Sequence, residues 1–537
     1  MDPLTQLPFS ARELTATLPL LAPALTGLLC LFADLYLARQ RSKVGLGLIS
    51  AGGALLTAFL CLALWSGSED RVLVAGTLAI SRFASTLALG VLLATALISL
   101  AGMHHGQAAF ALSTGEPRAT IAHGEFFALI QFATCGMLGL LVANDLLTLF
   151  VALEILSICV YCLTGIDRRR ARSSEGAMKY FVLGAFASGF LLYGIALLYG
   201  AGHTLRLDRL AALDLHDRQV SLALVGGVLL MVGLLFKVGA VPFHAWVPDA
   251  YEGAPTATTG FMSVAVKVAA FGAALRVVAA LGQSGAMGPA GAWLLWLVAG
   301  VTMIAGNAGA LTQRNPRRLL AWSAIAHSGY VLVGLVALAR CWDVGHAGVI
   351  HGAPSPDLVA AGKDAVGGVI YYLLGYGAAN LAAFAVLCHL ERGGEEVEDL
   401  ADLSGLAQTQ PGPAFAMTLA MISLAGIPCT AGFLGKLWVF RSGVATGDVG
   451  LVVIALVTSV LSLYYYLRVV VVMYMQEPGQ GLPGELTAGR VTAPDPSRWG
   501  SRLALSVAAA LILILGMYPG ERLLGMVVQG ARALVPS

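Results

Sequence analysis

Residues 236–271 read FKVGAVPFHAWVPDAYEGAPTATTGFMSVAVKVAAF, with Lys237 and Lys267 inside apolar runs on either side of a segment rich in Gly and Pro. An apolar run of about 20 residues crosses the hydrocarbon core of a bilayer as a helix. A charged side chain at the bilayer centre costs about 2.5–3.5 kcal/mol even on the gentler insertion scales. Both lysines are therefore expected to face the interior of a helix bundle and to have a function there.

The whole chain has the composition of a membrane protein. Of its 537 residues, 58% are hydrophobic and 12% are charged, whereas soluble domains average about 45–50% and about 25%. Apolar runs between charged or Gly/Pro-rich breaks predict an all-α polytopic fold with about 14 transmembrane helices. The net charge of +2 and the lack of a long basic block give no reason to expect a nucleic-acid partner.

The distribution of Lys and Arg predicts the orientation in the membrane. Basic residues cluster at 39–43, 168–172 and 314–318, in the first, fifth and ninth loops between the predicted spans. With alternating spans these odd loops share one side, which the positive-inside rule assigns to the cytoplasm. Both termini are then expected on the periplasmic side of a bacterial inner membrane. Residues 1–12 lack the features of a cleaved signal peptide, so we expect the first helix to be retained.

Two predicted spans are interrupted by Gly and Pro beside a lysine. These are FKVGAVPFHAWVP at 236–248 and LAGIPCTAGFLGK at 424–436. A broken helix at membrane depth is tolerated where it is buried in protein or lines a wet cavity, and a matched pair indicates an internal repeat with an ion site. Because five spans separate the breaks, the second copy should be inverted. The predicted organisation is three N-terminal helices at 1–120, a first five-helix repeat at 121–280, a second, inverted repeat at 290–475, and a cytoplasmic loop with the last helix at 476–537.

Five ionisable residues lie within predicted spans and form the candidate site: Glu154, Lys237, Lys267, His327 and Lys436. Burial disfavours the charged form of such groups and a nearby opposite charge favours it, so a moving neighbour can switch protonation. We expect Glu154 to pair with Lys237, His327 to accept and donate a proton in the second repeat, and Lys436 to be the exit group. The set predicts a proton relay. A structural alternative stays open for each residue: a helix-locking ion pair, a snorkelling lysine or a histidine bonded to a carbonyl.

Other polar residues have a less certain part in the predicted site, or only a structural role. Asp249 and Glu252 either collect protons at the cytoplasmic mouth or belong to a solvated turn. The acidic stretch at 395–402 is expected to be a solvated loop or a short surface helix, and the tyrosines at 464–466 are interpreted as packing or interface aromatics.

Apparent cofactor and metal motifs lack the setting that they require. Gly479, Gly481 and Gly484 spell GxGxxG, but in a Pro-rich loop with no strand before it and no helix after it. Cys159 and Cys162 lie in an apolar run without polar partners, so packing is the expected role. We therefore expect no cofactor or metal site in this chain. An extended loop is expected at 341–363, and no role is assigned to it.

Several long runs closely resemble the subunit N family of bacterial NADH-quinone oxidoreductase, respiratory complex I. Besides 236–271 they are LVANDLLTLFVALEILSICVYCLTG at 141–165, AMKYFVLGAFASGFLLYGIALLYG at 177–200, NPRRLLAWSAIAHSGY at 315–330 and SLAGIPCTAGFLGKLWVF at 423–440. The resemblance implies an antiporter-like subunit of the membrane arm with two inverted five-helix repeats. Glu154 and Lys237 match the family's ion pair, Lys267 its central lysine, and Lys436 its lysine in the second broken helix.

The function implied by the resemblance is that of a translocase subunit. It would couple electron transfer from NADH to quinone to proton translocation, with other membrane-arm subunits as partners. NADH, FMN, iron–sulfur clusters and quinone would belong to those partner subunits. One alternative is a subunit of a multisubunit cation/proton antiporter, which runs on an ion gradient alone. Another is a membrane scaffold whose buried charges only fix helix register.

Overall fold

The computed structural model describes residues 11–36, 44–65, 71–104, 123–213, 217–348, 356–391, 396–477, 498–517 and 534. In these segments, 13 helices are long and apolar enough to cross a membrane. The predicted all-α polytopic fold is confirmed. The one small sheet among the described residues is a hairpin of β1 (Arg71–Leu73) and β2 (Leu78–Ile80).

The helices follow one another with short connections. In the first part of the chain they are α1 (Ala11–Tyr36), α2 (Val44–Trp65), α3 (Arg82–Ala101), α4 (His123–Val142), α5 (Leu146–Thr164), α6 (Ala171–Gly202), α7 (Leu207–Ala211), α8 (Asp217–Val238), α9 (Trp246–Gly253), α10 (Thr256–Phe261) and α11 (Lys267–Gln283). The remainder are α12 (Gly288–Leu311), α13 (Pro316–Gly348), α14 (Pro356–Leu390), α15 (Leu406–Thr409), α16 (Pro411–Ala425), α17 (Ala431–Ala445), α18 (Val449–Met475) and α19 (Trp499–Met517). A π-helical turn at Met262–Val266 joins α10 to α11 into one span.

Both predicted interruptions are present. At the second, α16 and α17 have 15 residues each, too few to cross alone, and Gly426 ends α16 with a φ of 82°. The sequence predicts one continuous span where the structure has α16, a break and α17. This broken span is not among the 13 continuous ones, and it accounts for the difference from the 14 or so that the sequence predicts. At the first interruption, α8 ends at Val238 and the short helix α9 begins at Trp246. The break therefore follows α8, and it begins at Gly239, which has a φ of 73°.

The loops alternate between the two ends of the bundle, as the basic clusters predict. Arg170, between α5 and α6, and Arg317, at the start of α13, both form ion pairs with Glu396, between α14 and α15. At the opposite end, Asn144 Nδ2 donates to the carbonyl of Gly76 at 2.9 Å, which joins the α4–α5 turn to the β-hairpin. The fifth, ninth and eleventh loops therefore share one end. The basic cluster at 39–43 lies outside the described residues.

The prediction of an extended loop at 341–363 is wrong for most of these residues. Helix α13 continues to Gly348, and α14 begins at Pro356. Proline fits the first turn of a helix because its missing N–H would have no partner there. Pro356 therefore starts a helix here. Residues 349–355 lie outside the described part.

Two spans form the centre of the bundle. The most apolar stretch of the 256–283 span is 100% buried and that of α13 is 94% buried, against 33% for α6. Lys267 and His327 lie on these two spans and are 3% and 4% exposed, so both side chains are separated from the outer surface of the bundle. Helix α6 instead presents most of its surface outward.

Candidate functional site

Lys237 sits in an aromatic cage at the end of α8. Its side chain is 2% exposed, and Nζ donates to the hydroxyl of Tyr180 at 3.1 Å. The same nitrogen lies 4.8 Å from the ring centroids of both Tyr161 and Tyr180. Desolvated cation–π contacts stabilise an ammonium by about 2 kcal/mol. A protonated Lys237 is therefore supported by rings and one hydroxyl.

The expected contact between Glu154 and Lys237 is not formed. Glu154 is half-buried on α5, accepts a hydrogen bond from Ser188 on α6, and makes no ion pair within the described part of the chain. It lies on the outer side of α5, among the exposed Val151 and Ile158. The structure thus has the separated arrangement of this pair.

Trp246 of α9 braces the cage. Its ring stacks on Tyr180 with centroids 3.9 Å apart and planes 2° from parallel. Its Nε1 donates to the carbonyl of Phe236 at 3.0 Å. Sequence reasoning missed Tyr180 and Trp246, since a buried aromatic near a lysine cannot be told from a packing residue by spacing alone. Trp246 lies in the same Gly/Pro-rich run as Lys237, which is a signal for it, whereas Tyr180 is 57 residues away from Lys237 in the chain and has none.

Lys267 begins α11, directly after the π-helical turn, and is 3% exposed. Its Nζ donates to the carbonyl of Ala324 and to Ser328 Oγ, the latter at 2.8 Å. Ser328 Oγ lies 2.6 Å from the carbonyl of Val238, the residue after Lys237. The hydroxyl of Ser328 therefore ties the first interruption to the central lysine. Sequence reasoning missed this serine, although it follows His327 in the chain.

His327 lies between two tyrosine hydroxyls. Nδ1 is 2.7 Å from Tyr372 Oη and Nε2 is 3.0 Å from Tyr466 Oη. The interpretation of the tyrosines at 464–466 as packing or interface groups is incomplete, because Tyr464 is 64% exposed whereas Tyr466 is buried against His327. At 3.6 residues per turn, adjacent side chains point about 100° apart, so three in a row cannot all face lipid.

Lys436 is held by the broken backbone of the second interruption. It is 5% exposed, and Nζ donates to the carbonyls of Leu424 at 3.0 Å and Ala425 at 2.9 Å. These are the last carbonyls of α16, and a helix C-terminus carries partial negative charge. Ser459 Oγ accepts a third hydrogen bond at 2.8 Å. The interruption itself therefore supplies the cation site.

Asp249 and Glu252 are paired with cations. Arg318 Nη1 lies 2.9 Å from Asp249 and 2.6 Å from Glu252, and Lys179 Nζ lies 2.7 Å from Asp249. Burial acts to raise the pKa of Asp249, but hydrogen bonds from Lys179 and Arg318 outweigh it and lower that pKa. A carboxyl group with a lowered pKa is a poor proton acceptor near neutral pH. The geometry favours a structural role over proton collection.

The expectation of a fully solvated acidic stretch at 395–402 is wrong at Glu396. Its side chain is 4% exposed and pairs with Arg317 at 2.6 Å and with Arg170. Glu398, at 51% exposure, is solvated as expected. The burial of Glu396 could not be predicted from the acidic run alone, because the two arginines that pair with it lie far from it in the sequence.

No cluster of three or more His, Cys, Asp or Glu side chains suited to a metal ion occurs among the described residues. Cys159 is buried and Cys162 is exposed on the same helix. The GxGxxG at 479–484 lies outside the described residues. The chemistry that the described site offers is proton exchange between lysine, histidine, tyrosine and serine groups.

Comparisons with known proteins place this arrangement in a family. A family model described as NADH:quinone oxidoreductase/Mrp antiporter, TM, matches residues 143–353 and 344–462. NADH-quinone oxidoreductase subunit N of Myxococcus xanthus is 44% identical over 409 residues, which cover 74% of this chain and 76% of that protein.

Solved structures share the fold. A chain of respiratory complex I from Thermus thermophilus matches with a TM-score of 0.72 and 31% identity, covering 94% of this chain and 98% of that one. A chain of the Mrp complex from Dietzia sp. has a TM-score of 0.73 at 23% identity, with 97% and 98% covered, and so shares the fold alone. The chain belongs to the subunit N family of NADH-quinone oxidoreductase, with an antiporter-like fold.

Proposed function

We propose that this chain translocates protons as a membrane subunit of NADH-quinone oxidoreductase, through a relay of Glu154, Lys237, Lys267, His327 and Lys436. One observation carries the proposal. The three lysines and His327 are at most 5% exposed, and none of them forms an ion pair with a carboxylate in the described segments. Their partners are hydroxyls, carbonyls and rings.

Such groups are suited to titration because no counter-ion fixes their charge. A charge inside the bilayer is costly without compensation, so a small rearrangement of hydroxyls or of a distant carboxylate decides whether the protonated form is tolerated. Glu154 is the one carboxylate of the proposed relay, and it forms no ion pair with Lys237 in the described segments. Movement of Glu154 towards Lys237 would hold the proton, and movement away would release it.

The central and second sites are connected through aromatic residues around His327. The Tyr376 ring lies 5.6 Å from Lys267 Nζ and 4.9 Å from the His327 ring, centroid to centroid. The Tyr330 ring lies 5.6 Å from the His327 ring and 5.1 Å from Lys436 Nζ. His327 is thus placed between the two lysines, and imidazole can accept a proton at one nitrogen and donate from the other.

The driving force is proposed to come from partner subunits of the membrane and redox parts of the complex. NADH, FMN, iron–sulfur clusters and quinone would be bound there, and this chain would respond through contacts with neighbouring subunits. The odd-loop end of the bundle would face the cytoplasm, with both termini on the periplasmic side.

The relay is tested by Lys267→Met in the reconstituted complex, with Lys363→Met as the matched control. Lys363 lies near the start of α14, partly exposed. We expect Lys267→Met to lower NADH-driven proton uptake into proteoliposomes at least about tenfold, or 1.4 kcal/mol of transition-state free energy. The control should pump normally. If the Lys267→Met complex assembles and pumps normally, the relay is wrong and the buried charges of this chain have only a scaffold role.

The link to redox chemistry has its own test. Native membranes are solubilised in mild detergent, separated on a native gel and stained for NADH oxidation while this chain is detected by antibody. Comigration with an NADH-oxidising band is expected. Migration in a band without that activity, from membranes that have it elsewhere, would favour a cation/proton antiporter driven by a gradient alone.

A further inference from the structure

A groove of about 880 Å³ opens on the outer surface of the bundle, where α1, α4, α5 and α6 meet. Its walls are mainly apolar and include Phe132, Tyr161, Met178 and Phe181. The volume lies within the range of about 300–1,000 Å³ found for ligand sites. The groove is separate from the cage around Lys237, but Tyr161 belongs to the walls of both.

The groove starts at the end of the bundle where α4 and α6 begin and α5 ends. Glu125 lines its mouth, and Phe132, seven residues further along α4, lines its floor. Seven helical residues rise about 10 Å, one third of a hydrocarbon core of about 30 Å. An occupant would therefore extend from the headgroup level into the acyl-chain region.

Two side chains of opposite charge lie at the mouth and have no charged partner among the described residues. Arg168 and Glu125 both line the groove and are exposed, and neither forms an ion pair with a described residue. Arg170 and Arg172 of the same region differ, since Arg170 pairs with Glu396 and Arg172 with Glu252. An unpaired guanidinium prefers a phosphate, with which it forms two parallel hydrogen bonds. An unpaired carboxylate prefers an ammonium group.

We infer that this groove binds one phospholipid with a zwitterionic amine headgroup, phosphatidylethanolamine. The phosphate binds Arg168, the ammonium group binds Glu125, and an acyl chain lies between Phe132 and Phe181 and ends against Tyr161. An anionic lipid would place its headgroup beside the Glu125 carboxylate and bind less well. The bound chain covers the outer face of Tyr161 and keeps water from that side of the Lys237 cage.

The test uses the purified complex in nanodiscs that contain phosphatidylethanolamine with a photoreactive diazirine in its acyl chain. After irradiation, labelled peptides of this chain are quantified by mass spectrometry. We expect labels on groove residues such as Met178 and Phe132, and weaker labelling there by the same diazirine on phosphatidylglycerol. Arg168→Ala removes both hydrogen bonds to the phosphate and should lower groove labelling at least about tenfold, since even one charge-assisted hydrogen bond contributes about that factor. Arg169→Ala is the control, because Arg169 is an exposed arginine of the same loop that does not line the groove.

Two further variants separate headgroup recognition from groove filling. Met178→Trp fills the groove with both charges intact and should abolish labelling there. Glu125→Gln should narrow the preference for phosphatidylethanolamine over phosphatidylglycerol. Native-gel assembly and NADH oxidation should be normal in every variant. Equal labelling by the two lipids with no effect of Arg168→Ala would overturn the inference. So would photo-crosslinking of a reactive residue at position 178 to a partner subunit, which would assign the groove to a protein contact.

Discussion

The two helix interruptions hold their lysines in opposite ways. At the first, Lys237 has one hydrogen bond, to Tyr180, and lies against rings that belong to α5 and α6. At the second, Lys436 has three hydrogen bonds, two of them to the carbonyls that the break itself leaves free. Matching Gly, Pro and Lys patterns in the sequence therefore give two different cation sites.

The difference separates an adjustable site from a fixed one. Tyrosine rings and a distant carboxylate can change position by side-chain rotation, whereas helix-terminal carbonyls cannot move without the backbone. Support for a charge on Lys237 thus depends on its neighbours, and support for Lys436 is built into α16. Under the proposed relay, a signal from partner subunits would act at the first interruption.

The largest expected effect of a single hydroxyl is at the first site. Tyr180→Phe removes the hydrogen bond of Lys237 and leaves the ring, and a hydrogen bond to a charged group contributes about 1.5–3 kcal/mol. We expect NADH-driven proton uptake in proteoliposomes to fall about tenfold at normal assembly. Tyr193→Phe, at an exposed position on the same helix, is the control. Unchanged pumping in Tyr180→Phe would mean that the rings alone support Lys237.

A smaller effect is expected from the residue that braces the cage. Trp246→Leu removes the stack on Tyr180, and aromatic pairs contribute about 0.5–1.5 kcal/mol beyond their buried area. We expect a loss of about threefold in the same proton-uptake assay, since the hydroxyl remains but its position is less well fixed. Trp293→Leu, 58% exposed on α12, serves as the control. A loss larger than that of Tyr180→Phe would show that α9 does more than orient this ring.

The smallest effect is expected at the second site. Ser459→Ala removes one of three partners of Lys436 and leaves both carbonyls of α16 in place. We expect proton uptake to fall less than about twofold, well under 1 kcal/mol. The measurement should be made beside Tyr180→Phe under the same lipid and pH conditions. If the two variants lose equal activity, the distinction between an adjustable and a fixed lysine site is wrong.

Sequence patterns predicted the features that follow from the position of a residue relative to the bilayer. Apolar runs gave the spans, basic clusters gave the shared end of the fifth and ninth loops, and Gly and Pro beside Lys237 and Lys436 gave both interruptions. These features follow from the low polarity of the bilayer, which acts on every residue in the same way. The burial of the three lysines follows for the same reason.

Two kinds of feature were not predicted: those set by the orientation of a helix about its own axis, and those set by contacts between residues that are distant in the sequence. Tyr180 and Tyr466 supply hydroxyls to the site because of how α6 and α18 are turned about their axes. Apolar periodicity does not fix that angle in helices that are apolar on all sides. The separation of Glu154 from Lys237 depends on the same angle. Glu396 is buried only because two arginines from remote segments meet it.

The pairing of Glu396 also bears on how the molecule can move. This one carboxylate connects Arg170, from the first half of the chain, to Arg317, from the second. Rocking one half against the other at this end would separate Glu396, 4% exposed, from Arg170, 29% exposed, and would leave the carboxylate with one fewer cationic partner. Transporters that alternate access by rocking need such an end to open. The ion pairs of Glu396 oppose such an opening, which agrees with the proposed relay, in which side chains and protons would move while the two halves stay together.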